Sequence, residues 1–384
     1  MRIFIVSRGY PSSAYVTNGI FEFDQAKALR VQGHEVVMLC TDLRSIRRKR
    51  KFGYENKESD GVNIECISVP CGRIPKKLLR LVRSCALAVL YKKCLKKYGK
   101  PDIIHAHFQE IAYTTAHVLG EEGVPLIMTE HLSSLNNAEI DRGLIKTGKN
   151  VYNKYHTVIA VGEKLRKSLS DNFNISAVVI PNVVDIESFT LEERIKRTDT
   201  VFRIVSVGSL IKRKKNDVLI RAFSEFRKQY PDSCLEIYGK GVENDALQEL
   251  ISKLKLDSCV VLHGACKRTE IARKMTVSDC FALASDVETF GVVYIEAMAM
   301  GLPVIAVKSG GPEEFVDQTT GIVVEKCDVG LLTESMIYMR EHIADYDSQH
   351  IRNYVTSNFS PEMIAHELEK IYSESIEKSN KLGV

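Results

Sequence analysis

Two carboxylates, Glu288 and Glu296, stand in the stretch 284–314, ASDVETFGVVYIEAMAMGLPVIAVKSGGPEE. It reads as a strand end, a loop carrying Glu288, and a helix over 292–300 opened by Phe290-Gly291. Apart from Glu296 that helix is apolar on every side, so it must be buried all round. A lone carboxylate there is costly unless it is paired or hydrogen-bonded. A vicinal diol is one suitable partner, because it can donate two hydrogen bonds to one carboxylate. A Lys or Arg from elsewhere in the chain is the other. The backbone N–H groups at the Gly291 turn, together with the helix N-terminus, make a ready site for a diphosphate. Glu288 could then face a sugar held beyond that diphosphate. Gly310-Gly311-Pro312-Glu313-Glu314 is a second strand-to-helix turn, with Pro near the first helical position, and by itself it requires no ligand.

Four consecutive cations, Lys212-Arg213-Lys214-Lys215, follow a strand that ends at Val207 and the turn residues Gly208-Ser209. Surface charge runs are commonly just solvated, but this one lies past a strand end, where an anionic ligand would bind. Tyr238-Gly239-Lys240-Gly241 is another such turn, and its glycines permit a close backbone approach to a ligand. In the first half the comparable positions are Asn18-Gly19, His105-Ala106-His107 and Glu130-His131. One His alone reads as capped or solvated; three at two strand ends are more suggestive of a site.

Holding these residues at strand ends requires an alternating chain. Strands are expected at 2–6, 35–40, 62–69, 102–105, 125–129, 157–161 and 177–180, with helices such as 21–32 and 77–98 between them. The pattern restarts with strands at 202–207, 234–238, 260–262, 280–284, 303–307 and 321–324, and helices such as 217–229 and 244–254. Alternation of this kind implies parallel sheets covered on both faces. Residues 184–200 are polar and read as a linker, and 384 residues suit two domains. The fold class is therefore α/β: two doubly wound domains in tandem with a cleft between them.

The net charge of +4 conceals an asymmetry: residues 1–190 hold 28 basic and 19 acidic side chains, and the remainder 25 and 30. With 45% hydrophobic and 27% charged residues, the composition excludes disorder and fibrous repeats. So modest a net charge argues against a dedicated nucleic-acid binder. Ten cysteines without a CxxC pair fit reduced thiols in a cytoplasmic protein, with no disulfide or metal framework. The opening apolar run, 3–6, is too short for a signal peptide. Nothing approaches the roughly 20 apolar residues of a membrane span.

The EX7E spacing of Glu288 and Glu296 within ETFGVVYIEAMAMGLPVIA, followed by GGPEE, resembles the retaining nucleotide-sugar glycosyltransferases of family 4, which have the GT-B fold. GIFEFDQAKALRVQGHEV, DIIHAH, AVGEKLRKSL, PNVVD, VGSLIKRKKNDVLIRAF and LEIYGKG extend the resemblance over roughly residues 2–375. It implies an acceptor-binding Rossmann-like domain over 1–185, a donor-binding one over 186–359, and a last helix within 360–384 that returns to the first domain. It also implies roles. Glu288 would bind donor-sugar hydroxyls and Glu296 the ribose diol. The amides of Phe290, Gly291, Val292 and Val293 would hold sugar and diphosphate, and Lys214 would neutralise the diphosphate. Tyr238 to Gly241, with Gly239 and Gly241, and the Gly264-Ala265-Cys266 turn would border the base. Gly19 would let its loop approach the diphosphate, and His131 would contact the sugar.

Two positions depart from the family pattern. Ser209 stands where the family often has Arg, and Arg213 is the candidate to supply that charge. Val183 replaces the Gly of the PNGVD pattern. The family lacks a DxD metal motif, and here Asp171 and Asp286 have no DxD partner. No cofactor or metal is thus expected, with leaving-group charge met by Lys214, Arg213 and helix-end amides. The implied reaction is front-face transfer from a UDP- or GDP-sugar to a glycan or lipid-linked saccharide, with the anomeric configuration retained, in bacterial capsule, exopolysaccharide or O-antigen synthesis. A sugar-nucleotide 2-epimerase and a non-catalytic partner subunit are the rivals. Between Glu65 and Asp102 no residue is acidic and ten are basic. Together with the basic run 44–51, this makes an anionic membrane surface a candidate partner, the chain then lying peripherally on the inner face of the plasma membrane. A sheet-covering helix with solvated lysines at its ends is the alternative.

Overall fold

The computed structural model describes residues 1–12, 15–45, 51–191 and 199–382. Residues 46–50 of the basic run and 192–198 of the expected linker lie outside the described residues. The chain divides into two compact units, Met1–Val183 with Pro361–Val384, and Val184–Ser360.

The first unit runs β1 (Arg2–Ser7), α1 (Ile20–Val31), β2 (Glu35–Arg44), β3 (Gly53–Ser59), β4 (Val62–Pro70), α2 (Lys76–Tyr98), β5 (Ile103–His107), α3 (Gln109–Leu119), β6 (Leu126–Glu130), α4 (Arg142–Val151), β7 (Thr157–Ala160), α5 (Glu163–Phe173) and β8 (Val178–Val179). Its sheet is ordered β3-β4-β2-β1-β5-β6-β7-β8. All pairs are parallel except β3 with β4. Every residue of β5 and β6 is buried, as expected of central strands with helices on both faces. The antiparallel β3 departs from the all-parallel expectation. Its sequence GYENKES has no apolar alternation, and what holds it is polar: Tyr54 and Asn56 donate to the buried Glu65 carboxylate at 2.6 and 2.7 Å. Asp60-Gly61, with φ of 50° and 74°, closes the two-residue hairpin turn.

The second unit runs β9 (Phe202–Val207), α6 (Asn216–Gln229), β10 (Ser233–Tyr238), α7 (Asn244–Lys253), β11 (Val260–Gly264), α8 (Arg268–Met275), β12 (Cys280–Leu283), α9 (Val292–Ala299), β13 (Val304–Val307), β14 (Gly321–Val324), α10 (Val329–Glu341) and α11 (Ser348–Phe359). Its sheet, β11-β10-β9-β12-β13-β14, is parallel throughout. This is a doubly wound order that reverses between β9 and β12; in the first unit the reversal falls between β1 and β5. The long α12 (Pro361–Leu382) belongs to the first unit, where Ile364, Ala365, Leu368 and Tyr372 complete a core with Ile3, Ile5 and Leu29. The passages between units fall at 183/184 and 360/361, against 185/186 and 359/360 from the sequence.

Candidate active site

At the reversal point of the second unit, the loops after β9 and β12 are stitched together. Lys212–Lys214 forms one 3-10 turn, closed by Lys215 in the left-handed region at φ 48°. The Arg213 carbonyl accepts the Asp286 amide at 3.0 Å, and Lys215 Nζ stands 3.1 Å from Asp286 Oδ2. Lys214 Nζ forms an ion pair with Glu288 Oε1, both side chains being largely buried at 12% and 9% exposure. Arg213 donates to the Val287 carbonyl and lies 3.9 Å from Glu288 Oε2. Three of the four cations therefore face acids of the β12 loop, and Lys212 is exposed. Four cations against Asp286 and Glu288 leave the pair of loops with surplus positive charge, as an anion site needs.

Glu288 is carried by a turn whose backbone the sequence fixes closely. Gly291, at φ 93°, caps α9, and a Cβ there would stand 2.7 Å from the Tyr294 ring. Tyr294 is in turn held by its hydroxyl donating to the Leu283 carbonyl at 3.0 Å. The Phe290 ring is locked against Phe315 and Phe359, at 5.0 and 5.4 Å between centroids, so this residue can offer a ligand only its backbone. The first amides of α9, Val292 and Val293 among them, have no acceptor within the helix. The GGPEE turn is scaffold. Glu313 accepts from the amides of Ser309, Gly310 and Gly311 at 3.1, 2.7 and 3.2 Å, and the Ser309 carbonyl accepts from the Glu288 amide at 3.0 Å.

Of the two partners open to Glu296, the structure supplies an arginine: Arg268 Nη2 of α8 lies 3.0 Å from Glu296 Oε1. Arg268 also reaches Asp185 at 3.8 Å. Ser209 is exposed in the β9 loop. Gly239 and Gly241 make their close approach to backbone: added Cβ atoms would stand 1.8 Å from the Gly208 carbonyl oxygen and 1.9 Å from that of Leu210. Amides of Gly208, Leu210 and Gly239 lace the three strand-end loops at 2.8 to 3.1 Å. Cys266, beyond Gly264, is half-buried, and burial pushes its thiol up. The Tyr238 ring stacks on His263 at 4.4 Å.

Gly19 and His131 belong to the first unit. Gly19 caps α1 at φ 66°, where a Cβ would meet the Gly9 carbonyl at 2.1 Å. His105 and His107 lie inside β5, and His131 follows β6. The three rings form a stack at 4.5 and 5.3 Å, with His107 Nδ1 3.0 Å from His131 Nε2. His105 is held between Tyr372 and Thr129 at 2.7 and 2.8 Å. Burial, with the Arg8 charge second, lowers His131 to a pKa of about 3, so its imidazole is neutral. Burial raises the neighbouring Glu130 to about 7 despite hydrogen bonds from two amides and Tyr152. Sequence reasoning missed Arg268 and Arg8, neither of which lies at a spacing that marks it, and named Glu313 only as part of the GGPEE turn, without its role as acceptor for three amides.

No group of three or more His, Cys, Asp or Glu side chains placed to hold a metal occurs among the described residues. An Asp-x-Asp does occur at 345–347, where its acids have local duties. Asp345 pairs with His342 at 3.0 Å, and Asp347 caps α11.

Residues 23–188 match the profile described as Glycosyltransferase Family 4, and residues 188–342 match Glycosyl transferases group 1. The chain belongs to the family 4 glycosyltransferases. Among its relatives, the alpha-monoglucosyldiacylglycerol synthase of Acholeplasma laidlawii is 26% identical over 99% of each chain. A GDP-mannose-dependent alpha-(1-6)-phosphatidylinositol monomannoside mannosyltransferase of Mycolicibacterium smegmatis is 32% identical over 59% of each. The sucrose-phosphate synthase structure of Thermosynechococcus elongatus superposes with a TM-score of 0.82 at 20% identity, covering 97% of this chain and 98% of that one. The fold of this glycosyltransferase is therefore GT-B, two Rossmann-like domains in one chain.

Proposed function

We propose that this glycosyltransferase moves a sugar from a UDP- or GDP-sugar to a glycan or lipid-linked saccharide with retention of configuration, in bacterial surface polysaccharide assembly. The observation that carries the reading is the Lys214–Glu288 ion pair, flanked by Arg213 and placed where the strand order of the second unit reverses. Lys214, Arg213 and the amides of 290–293 take up the charge of the departing diphosphate, the electrostatic stabilisation that positioned donors supply best. Glu288 orients sugar hydroxyls. Glu296, held by Arg268, accepts from the ribose diol. The turns at Gly239, Gly241 and Cys266 border the base, and Gly19 lets its loop reach the diphosphate. His131 offers a neutral ring nitrogen to the sugar. No carboxylate is assigned as a covalent nucleophile, so the departing diphosphate itself receives the proton of the acceptor hydroxyl on the face it leaves. No metal is required. The names of both relatives carry a lipid, diacylglycerol in one and phosphatidylinositol monomannoside in the other, which supports a lipid-borne acceptor here.

Thermal unfolding in the presence of a panel of UDP- and GDP-sugars tests the donor assignment. At least one should raise the midpoint in wild type and fail to do so in Lys214→Ala. Stabilisation by none of them, or equal stabilisation of both proteins, would contradict it. A 2-epimerase would also be stabilised by its nucleotide-sugar but would yield the epimer with no sugar attached to an acceptor, which product analysis with the stabilising donor distinguishes from transfer with release of nucleoside diphosphate.

A further inference from the structure

The helix α2 is apolar on two faces. Ala86, Leu87, Leu90, Tyr91 and Cys94 are buried in the first unit. Leu78, Leu81, Cys85 and Val89, spaced by three, four and four residues, form a second stripe that is exposed, at 46%, 58% and 52% for Leu78, Leu81 and Val89. An interior helix has no use for the second stripe, and a solvated one would not carry it. Cations bracket it: Lys76 and Lys77 at one end, Lys92, Lys93 and Lys96 at the other, all exposed. Lys97 is engaged by Glu65, and Lys93 lies over the Tyr54 ring at 4.2 Å.

Beside the N-terminal half of α2 is a cavity of about 540 Å³, whose lining includes Lys76, Lys77, Arg80, Leu81, His117 and Lys146. Arg80 is fixed in its wall, giving two hydrogen bonds to Glu110 at 2.9 and 2.8 Å and one to Thr147 at 2.8 Å. Glu110 is thereby neutralised, and Asp141 nearby is occupied capping α4. Three lysines remain to set the sign of the cavity. Leu81 belongs to both features, so the basic cavity opens beside the exposed apolar stripe.

We propose that α2 docks this unit on an anionic lipid bilayer, the Leu78–Leu81–Cys85–Val89 stripe entering the boundary of the acyl chains and the cavity receiving a phosphate headgroup. A free anion would satisfy the cavity and leave the stripe exposed; an anionic surface with an apolar interior satisfies both. No helix among the described residues is long and apolar enough to cross a membrane, so attachment of this kind is peripheral. The proposal goes beyond the transfer reaction and stands independently of the donor.

Co-sedimentation of the full chain with vesicles tests it. Vesicles of 70% phosphatidylcholine and 30% phosphatidylglycerol should bind the protein at low salt, and pure phosphatidylcholine should not. Lys76→Ala/Lys77→Ala/Lys146→Ala should weaken binding by about 100-fold, at about fivefold per cation. Leu81→Glu/Val89→Glu should abolish it with the circular dichroism spectrum unchanged. The chain has no Trp, so Leu81→Trp provides a single reporter whose emission should shift to the blue on the mixed vesicles. Inorganic phosphate at millimolar concentration should produce no such shift. Failure to bind the mixed vesicles, equal binding to both vesicle types, or binding without a shift at position 81 would overturn the proposal.

Discussion

Replacing Lys214 by Ala removes the cation that touches Glu288 and, in the proposed reaction, the departing diphosphate. Two unit charges about 4 Å apart interact by roughly 4 kcal/mol at an effective dielectric constant of about 20. Loss of a single positioned donor to a developing anion costs about 100- to 1,000-fold in rate. Arg213 remains 3.9 Å from the same carboxylate, which places the expected loss near the lower end, about 100-fold or ~3 kcal/mol. The substitution also deprives a largely buried Glu288 of its closest partner, so folding stability should fall by about 1–3 kcal/mol. Lys214→Met/Glu288→Gln separates the two effects. It removes both charges together, so stability should return while turnover stays lost. Initial rates of nucleoside diphosphate release, read beside thermal melting of each variant, measure both. A purely structural ion pair predicts that the double variant recovers activity with stability. That recovery, or a folded Lys214→Ala turning over within about fivefold of wild type, would refute the reasoning.

Arg268→Met should leave Glu296 without its arginine and destabilise the second unit by about 1–3 kcal/mol in urea. If Glu296 also serves the ribose, bound nucleotide should restore part of that loss, and a nucleotide lacking both ribose hydroxyls should restore less. The first unit should show opposed pH effects. His105 and His131 are held near a pKa of about 3 by burial, so from about pH 6.5 downward the unfolded chain takes up protons that the native state refuses, and stability falls as pH drops. Burial raises Glu130 to about 7, so between about 4.5 and 7 the native state holds a proton that the unfolded chain has released, and stability falls as pH rises. Glu130→Gln removes only the second effect. Its stability loss between pH 7 and 5 should exceed that of wild type by up to about 1.4 kcal/mol per pH unit, measured as urea midpoints. An unchanged slope would contradict the burial account of Glu130.

The alternating strands and helices were legible because parallel strands buried on both faces are written as short apolar runs, as in β12 and β13. The polar β3 was not, since it is held by Tyr54 and Asn56 reaching Glu65, although Asp60-Gly61 was a readable hairpin signal. Within the candidate site, Lys214 and Glu288 could be nominated from strand ends, yet only the fold shows them in contact. The partner of Glu296 was beyond reach: Arg268 opens a different helix, and no spacing rule connects the two. Gly239 and Gly241 read as room for a ligand and prove to be room for neighbouring backbone, because a missing side chain records closeness without recording to what.

The measurement that bears most directly on the central claim is proton NMR of the transfer product, made with whichever UDP- or GDP-sugar the enzyme turns over. The anomeric proton of the newly attached sugar should show the same configuration as the donor from the first turnover, in the presence of a chelator. An inverted anomer, or no turnover of any such donor by a folded protein, would contradict it.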